Sequence, residues 1–199
     1  MKQEIKSELT RQLIIDKAFV LFYKNGFHAI SVDRVMKETK LTKGAFYHHF
    51  KDKKELGLAV ISNRIQSRVY DNMILPLLEV GDPFLILKTV FCERIKNFSI
   101  EEKQSGCPMS NLINEISDSE VAYQLALKKI IEEWKLALIQ LLEKAKADNL
   151  IAREVSTSSV AVFLISAFEG VRGIRKLYNN DVVLEDYLLA VERYIDLLR

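Results

Sequence analysis

Apolar residues in this chain recur at intervals of three and four almost throughout, a period that belongs to helices. Ile14, Ala18 and Phe22 form one such row, with Ile15 and Phe19 beside it. Ile61, Ile65, Val69 and Met73 form another. Tyr123, Leu127, Ile130, Trp134, Leu138, Leu141 and Ala145 form a third. Strict alternation is almost absent, and only three prolines interrupt 199 residues. An all-α fold is expected.

Capping residues divide the helical pattern. A first helix is expected over 10–25, ended by Gly26. Ser31 caps a short helix over 32–38, and Thr42 caps another over 43–48. Asp52, with Glu55 three residues on, opens a long fourth helix that should stop before Pro76. Asp82-Pro83 opens a fifth, since proline suits the first helical position; it fades near Ser99. The stretch 101–107 reads as a polar connection, Pro108 as the start of a short helix through Ile116, and Asp118 as the start of a long one. Two apolar rows each run along 156–178 and 184–198. A helix apolar on two sides is buried on two sides, against its own core, a second copy of the chain, or both.

Several chemistries are disfavoured. Cys92 and Cys107, the only two cysteines, make neither a disulfide framework nor a Cys-rich zinc site. His48 and His49 are helix neighbours pointing about 100° apart, with no ligand-spaced partners, so no metal and no cofactor are expected. No phosphate loop or nucleophile elbow is visible, which argues against an enzyme. The polar N-terminus is unlike a leader, and the longest apolar stretch, 160–168, is short of the ~20 residues a membrane span needs. These features predict a cytoplasmic protein with no membrane partner.

The net charge of +2 conceals an asymmetry. Residues 1–58 carry net +5 and residues 59–199 carry net −3, which points to a polyanion partner at the N-terminal end. Two helices of about seven residues joined at 39–41 match a helix-turn-helix. The second begins with Thr42, Lys43, Gly44 and Ala45, small or basic residues that allow close approach to a groove. Tyr47, His48, His49, Lys51 and Lys53 supply donors of the kind that bind phosphate oxygens. Phe46 and Phe50 are expected to face inward.

The string SVDRVMKETKLTKGAFYHHFKDKKELGLAVI resembles the DNA-binding segment of TetR-type transcriptional regulators, and RQLIIDKAFVLFYKNGF extends the match to about residues 9–62. The resemblance implies a three-helix DNA-binding domain over 1–55. The fourth helix would join it to a ligand-binding and dimerisation domain over 56–199. It also implies a homodimer that binds a palindromic double-stranded DNA operator, acting mostly as a repressor released by a small-molecule effector. It places Thr42, Lys43, Gly44 and Ala45 at base edges and adjoining phosphates, Tyr47, His48, His49 and Lys53 at phosphates, and Arg11 and Ser31 at further backbone contacts. The family usually has Gly in the turn where this chain has Lys40, a departure worth ~1 kcal/mol if that residue is left-handed. Residues 106–118 and 168–178 resemble one branch of the family with a Gly-Cys…Asn-Leu stretch, which brings Asn111 in as a candidate ligand contact.

The C-terminal candidates admit two readings each. Phe84, Trp134, Phe163 and Phe168 wall an effector cavity or pack a core. Glu169 and Arg172 pair with each other, bind a polar effector group, or face solvent. Cys107, beside a helix start that lowers a thiol pKa, is a reactive sensor of electrophiles or oxidants, or a small packed side chain. The overall expectation is a ligand-responsive, dimeric DNA-binding regulator pairing through 156–178 and 184–198. The alternatives are a Cys107-based redox regulator and a helical protein–protein adaptor.

Overall fold

The computed structural model describes residues 2–116 and 120–199, and every regular element among them is helical. In chain order they are α1 (Lys2–Asn25), α2 (Val32–Thr39), α3 (Lys43–His49), α4 (Lys53–Val60), α5 (Gln66–Val69), α6 (Pro83–Lys88), α7 (Arg94–Lys96), α8 (Ile100–Ser105), α9 (Pro108–Ile116), α10 (Val121–Ala147), α11 (Thr157–Arg175) and α12 (Val182–Asp196). The fourth helix of the sequence reading is α4 and α5 with π-turns at Ile61–Ile65 and Tyr70–Ile74, ending in a 3-10 turn at Leu75–Leu78. A π-turn at Thr89–Glu93 likewise joins α6 to α7.

Three boundaries differ from expectation for local reasons. α1 starts at Lys2 rather than near Thr10. The added turns hold Ile5 and Leu9 in exposed positions, so no buried stripe announces them. They form because Lys, Gln, Glu and Leu favour helix, helped by bonds such as Gln12 Nε2 to Glu8 Oε1 at 2.9 Å. The polar stretch 101–107 is mostly helix α8, held by a reciprocal capping box between Ser99 and Glu102. Pro76 does not stop the fourth helix; it sits in the first turn of the 3-10 segment, where its missing N–H is harmless. Asp118, expected to open the long helix, lies outside the described residues.

The chain forms two compact units: Met1–Ser67 with Asn111–Lys128, and Arg68–Ser110 with Lys129–Arg199. The expected division at 55/56 falls inside the first of them. Its core joins Ile14, Ile15, Ala18 and Phe22 of α1 to Val35, Met36, Phe46, Phe50, Leu56 and Val60, and the inserted piece adds buried Tyr123. That unit is discontinuous because long-range bonds bind the inserted piece to it: Tyr123 Oη donates to Lys54 O at 3.1 Å, and the Glu115 carboxylate accepts from two backbone N–H groups near residue 27.

The second unit is centred on Phe91, Trp134 and Phe168, all buried, with Phe91 stacked on Trp134 at 6.1 Å and Phe168 edge-on to both. α11 is, among the described residues, the one helix whose length and apolar composition would allow a membrane crossing. Here it buries Val160, Ala161, Leu164, Ile165, Phe168 and also Arg172 and Arg175.

Candidate nucleic-acid interface

The helix-turn-helix forms as its caps dictate. Ser31 Oγ accepts from Arg34 N at 3.2 Å, and Thr42 Oγ1 accepts from Ala45 N at 3.3 Å. Between them Lys40 is left-handed, with φ 58° and ψ 22°, and takes the place where a glycine costs least. The turn is stiffened from below: Thr39 Oγ1 donates to Met36 O at 2.8 Å and accepts from Leu41 N at 3.2 Å.

α3 then presents two faces. Phe46 and Phe50 are buried in the unit's core, 5.6 Å apart. Thr42, Lys43, Gly44, Tyr47 and His48 are exposed, with Ala45 and His49 partly so. Among the described residues a methyl group on Gly44 would meet only Thr42 Oγ1, at 3.7 Å, so none of them requires glycine there. Lys43 pairs with Asp33 at 2.8 Å, and that hydrogen bond raises its pKa. The bond spans two exposed side chains and is weak enough to yield to a phosphate. Burial, the His48 ring and Arg11 together lower the His49 pKa below its usual value. The Arg11 guanidinium lies 5.4 Å over the Phe50 ring and 3.8 Å from Glu8.

Lys53 is the member of the predicted set that turns inward. Its ammonium donates to Phe27 O at 2.6 Å and lies 4.3 Å over the Phe27 ring, with burial lowering its pKa. The residue that sequence reasoning missed is Glu115. Its carboxylate accepts from Phe27 N at 2.8 Å and His28 N at 2.6 Å, just after left-handed Gly26 (φ +85°). A contact 88 residues away in sequence leaves no local signature. Each charge-assisted bond of this kind contributes ~1.5–3 kcal/mol when buried. For this half-exposed pair, Glu115→Ala should cost ~1–3 kcal/mol in all, read as a shifted denaturation midpoint with unchanged slope.

The C-terminal candidates separate in the structure. Phe84, Cys107, Trp134, Phe168 and Arg172 are buried in the second unit. Asn111 belongs to the first unit. Phe163 is 45% exposed and lies 4.3 Å from the Tyr194 ring, on the outer face of α11 rather than in the aromatic core. Glu169 accepts from Ser110 Oγ at 2.5 Å and pairs with Arg172 at 3.4 Å, so these two charges face each other and not solvent. Cys107 behaves opposite to the helix-start argument. Burial first, and the Glu169 charge second, push its pKa up to about 12, which holds the thiol protonated. A cavity of about 200 Å³ in the same unit is lined by residues of 77–83 and 140–150 and includes none of the predicted ligand contacts.

Residues 14–60 match the family of bacterial regulatory proteins of the tetR type, and residues 87–191 match the tetracyclin repressor-like C-terminal domain. The chain belongs to the TetR family. The transcriptional regulator AcuR of Cereibacter sphaeroides is 26% identical over 172 residues, covering 82% of this chain and 75% of that protein. The transcriptional repressor DhaR of a Mycobacterium species is 23% identical over 189 residues, covering 91% and 89%. A TetR-family regulator from Cytophaga hutchinsonii has the same fold, with a TM-score of 0.86, 22% identity, and coverage of 98% and 96%. This TetR-family chain is therefore a transcriptional regulator with a DNA-binding helix-turn-helix. The first family match begins at Ile14, so it leaves out Arg11 and the early turns of α1.

Proposed function

We propose that this regulator binds a palindromic operator as a homodimer, acts as a repressor, and is released by a small-molecule effector. The exposed row on α3 carries the reading: Thr42, Lys43, Gly44, Tyr47 and His48 face outward while Phe46 and Phe50 anchor the helix from behind. Thr42, Lys43, Gly44 and Ala45 reach base edges and adjoining phosphates; Tyr47, His48 and His49 hold phosphates, with Arg11 and Ser31 on the flanking backbone. Lys53 acts one step back, by fixing the Phe27–His28 turn.

Dimerisation through 156–178 and 184–198 is supported by the apolar side chains left uncovered there. Val162, Phe163, Ile174 and Leu177 on one segment and Leu189 and Leu197 on the other are all more than 40% exposed. A two-fold pair sets the recognition helices one DNA turn apart, ~34–36 Å. An effector that prefers a conformer with another spacing lowers operator affinity by its differential affinity. Two segments can carry that signal: the fourth helix, and α9, whose Ser110 is bonded within the second unit and whose Glu115 is bonded within the first.

Selection of bound fragments from random DNA tests the reading, followed by titration of the recovered site against salt. A two-fold symmetric sequence whose affinity falls steeply with salt is expected. No enriched sequence, or salt-independent binding, refutes it.

A further inference from the structure

The second unit holds two arginines around one ring, with a third, Arg68, nearby. The guanidinium of Arg172 lies 4.7 Å from the Phe98 centroid, and that of Arg94 lies 5.9 Å from the same centroid. Arg68 and Arg172 are both near enough to Arg94 to lower its pKa, after burial, the largest cause. Two carboxylates, Glu102 and Glu169, face this group. Glu102 is saturated by Arg68, by Ser99 N at 3.0 Å and by Ser99 Oγ at 3.1 Å. Glu169 takes the short Ser110 bond and meets Arg172 at 3.4 Å.

Two of these guanidiniums keep N–H groups that no protein acceptor takes among the described residues. Arg94 has no ion pair or hydrogen bond among the described residues, although it is half-buried. Arg172 is 7% exposed; its Nη2 donates to Gly106 O at 3.2 Å, but its Nε has no partner among the described residues. The buried Trp134 Nε1, on a ring that packs edge-on to Phe168, has none either. A buried N–H left without an acceptor, as at Arg172 Nε, is costly, and a positively charged cluster short of carboxylates is stabilised by an incoming anion.

We propose that Arg94 and Arg172 bind the carboxylate of a small organic acid, whose apolar body packs on Phe98. This names the chemical class of effector for the sensor unit and rests on that reading of it. A carboxylate fits better than a hydroxyl or a neutral carbonyl because a planar guanidinium presents paired N–H groups matched to two oxygens. Phe98, half-buried and within reach of both guanidiniums, supplies the ring against which a flat apolar body is held.

The test uses the full chain at constant ionic strength, with sodium benzoate, benzamide and inorganic phosphate as probes. Fluorescence of the single tryptophan, Trp134, and the melting temperature are the readouts. Benzoate should bind saturably, with benzamide and phosphate each about tenfold weaker or more. Arg94→Gln should weaken benzoate by about tenfold or more, and Arg94→Lys by less. Without any anion Arg94→Gln should melt at the same temperature or higher, because a like charge is removed; a merely structural arginine would lower it. Equal binding of benzoate and benzamide, phosphate binding as tight as benzoate, no saturable benzoate binding at millimolar concentration, or full affinity in Arg94→Gln overturns the proposal. Benzoate binding that Arg94→Gln abolishes but that leaves operator affinity unchanged supports the anion site and removes only its role in release.

Discussion

Gly44→Ala should weaken operator binding by about ten- to a hundredfold while leaving the protein as stable as before, or more so. The two halves of that result have separate causes. Among the described residues of the protein the added methyl meets only Thr42 Oγ1, at an ordinary 3.7 Å, and alanine is favoured over glycine in a helix by ~0.8–1 kcal/mol. Against DNA the same methyl stands on the exposed row beside Lys43, where a surface packed closely on a base edge or phosphate loses ~1–3 kcal/mol to overpacking. Fluorescence anisotropy with the recovered operator and a thermal melt measure the two effects on one sample. Unchanged affinity would move the interface away from the start of α3.

Gly57→Ala should do the reverse, destabilising the fold by ~1–3 kcal/mol against the sign that helix propensity gives. A Cβ at position 57 would stand 2.6 Å from Tyr123 Oη, 3.0 Å from Tyr123 Cε1 and 3.0 Å from Phe27 Cε2. The tyrosine ring cannot swing aside easily: it is 2% exposed, lies edge-on to Phe27 at 5.6 Å and donates to Lys54 O. Tyr123→Phe removes the nearest colliding atom, so in a double-mutant cycle the pair should be less destabilised than the sum of the single changes. Strict additivity by chemical denaturation would refute the clash.

The sequence disclosed what is local. Ser31, Thr42 and Asp52 stand as caps where their side chains suggested, each accepting from a backbone N–H three residues on. The inward Phe46–Phe50 pair follows from a spacing of four, and the family match rests on an unbroken string. What stayed hidden depends on residues far apart in the chain. Glu115 looks like any exposed acid until the fold brings Phe27 to it. Lys53 looks like a phosphate ligand until its ammonium finds Phe27 O. Cys107 stands beside a helix start, but its titration is governed by burial and by Glu169, sixty-two positions later. The early turns of α1 escaped for the opposite reason: propensity alone builds them, and no apolar stripe marks them.

The discontinuity of the first unit limits how this regulator can be taken apart. A fragment cut anywhere between Leu58 and Ser67 keeps all three helices of the reading head. It nevertheless exposes the two N–H groups after Gly26 that Glu115 serves and empties the niche that Tyr123 fills against Gly57. Grafting the head onto another sensor would carry the same deficit, unless the recipient supplies a carboxylate and an aromatic ring at those two places. Modularity in this protein follows the contacts of Glu115 and Tyr123, not the order of the chain.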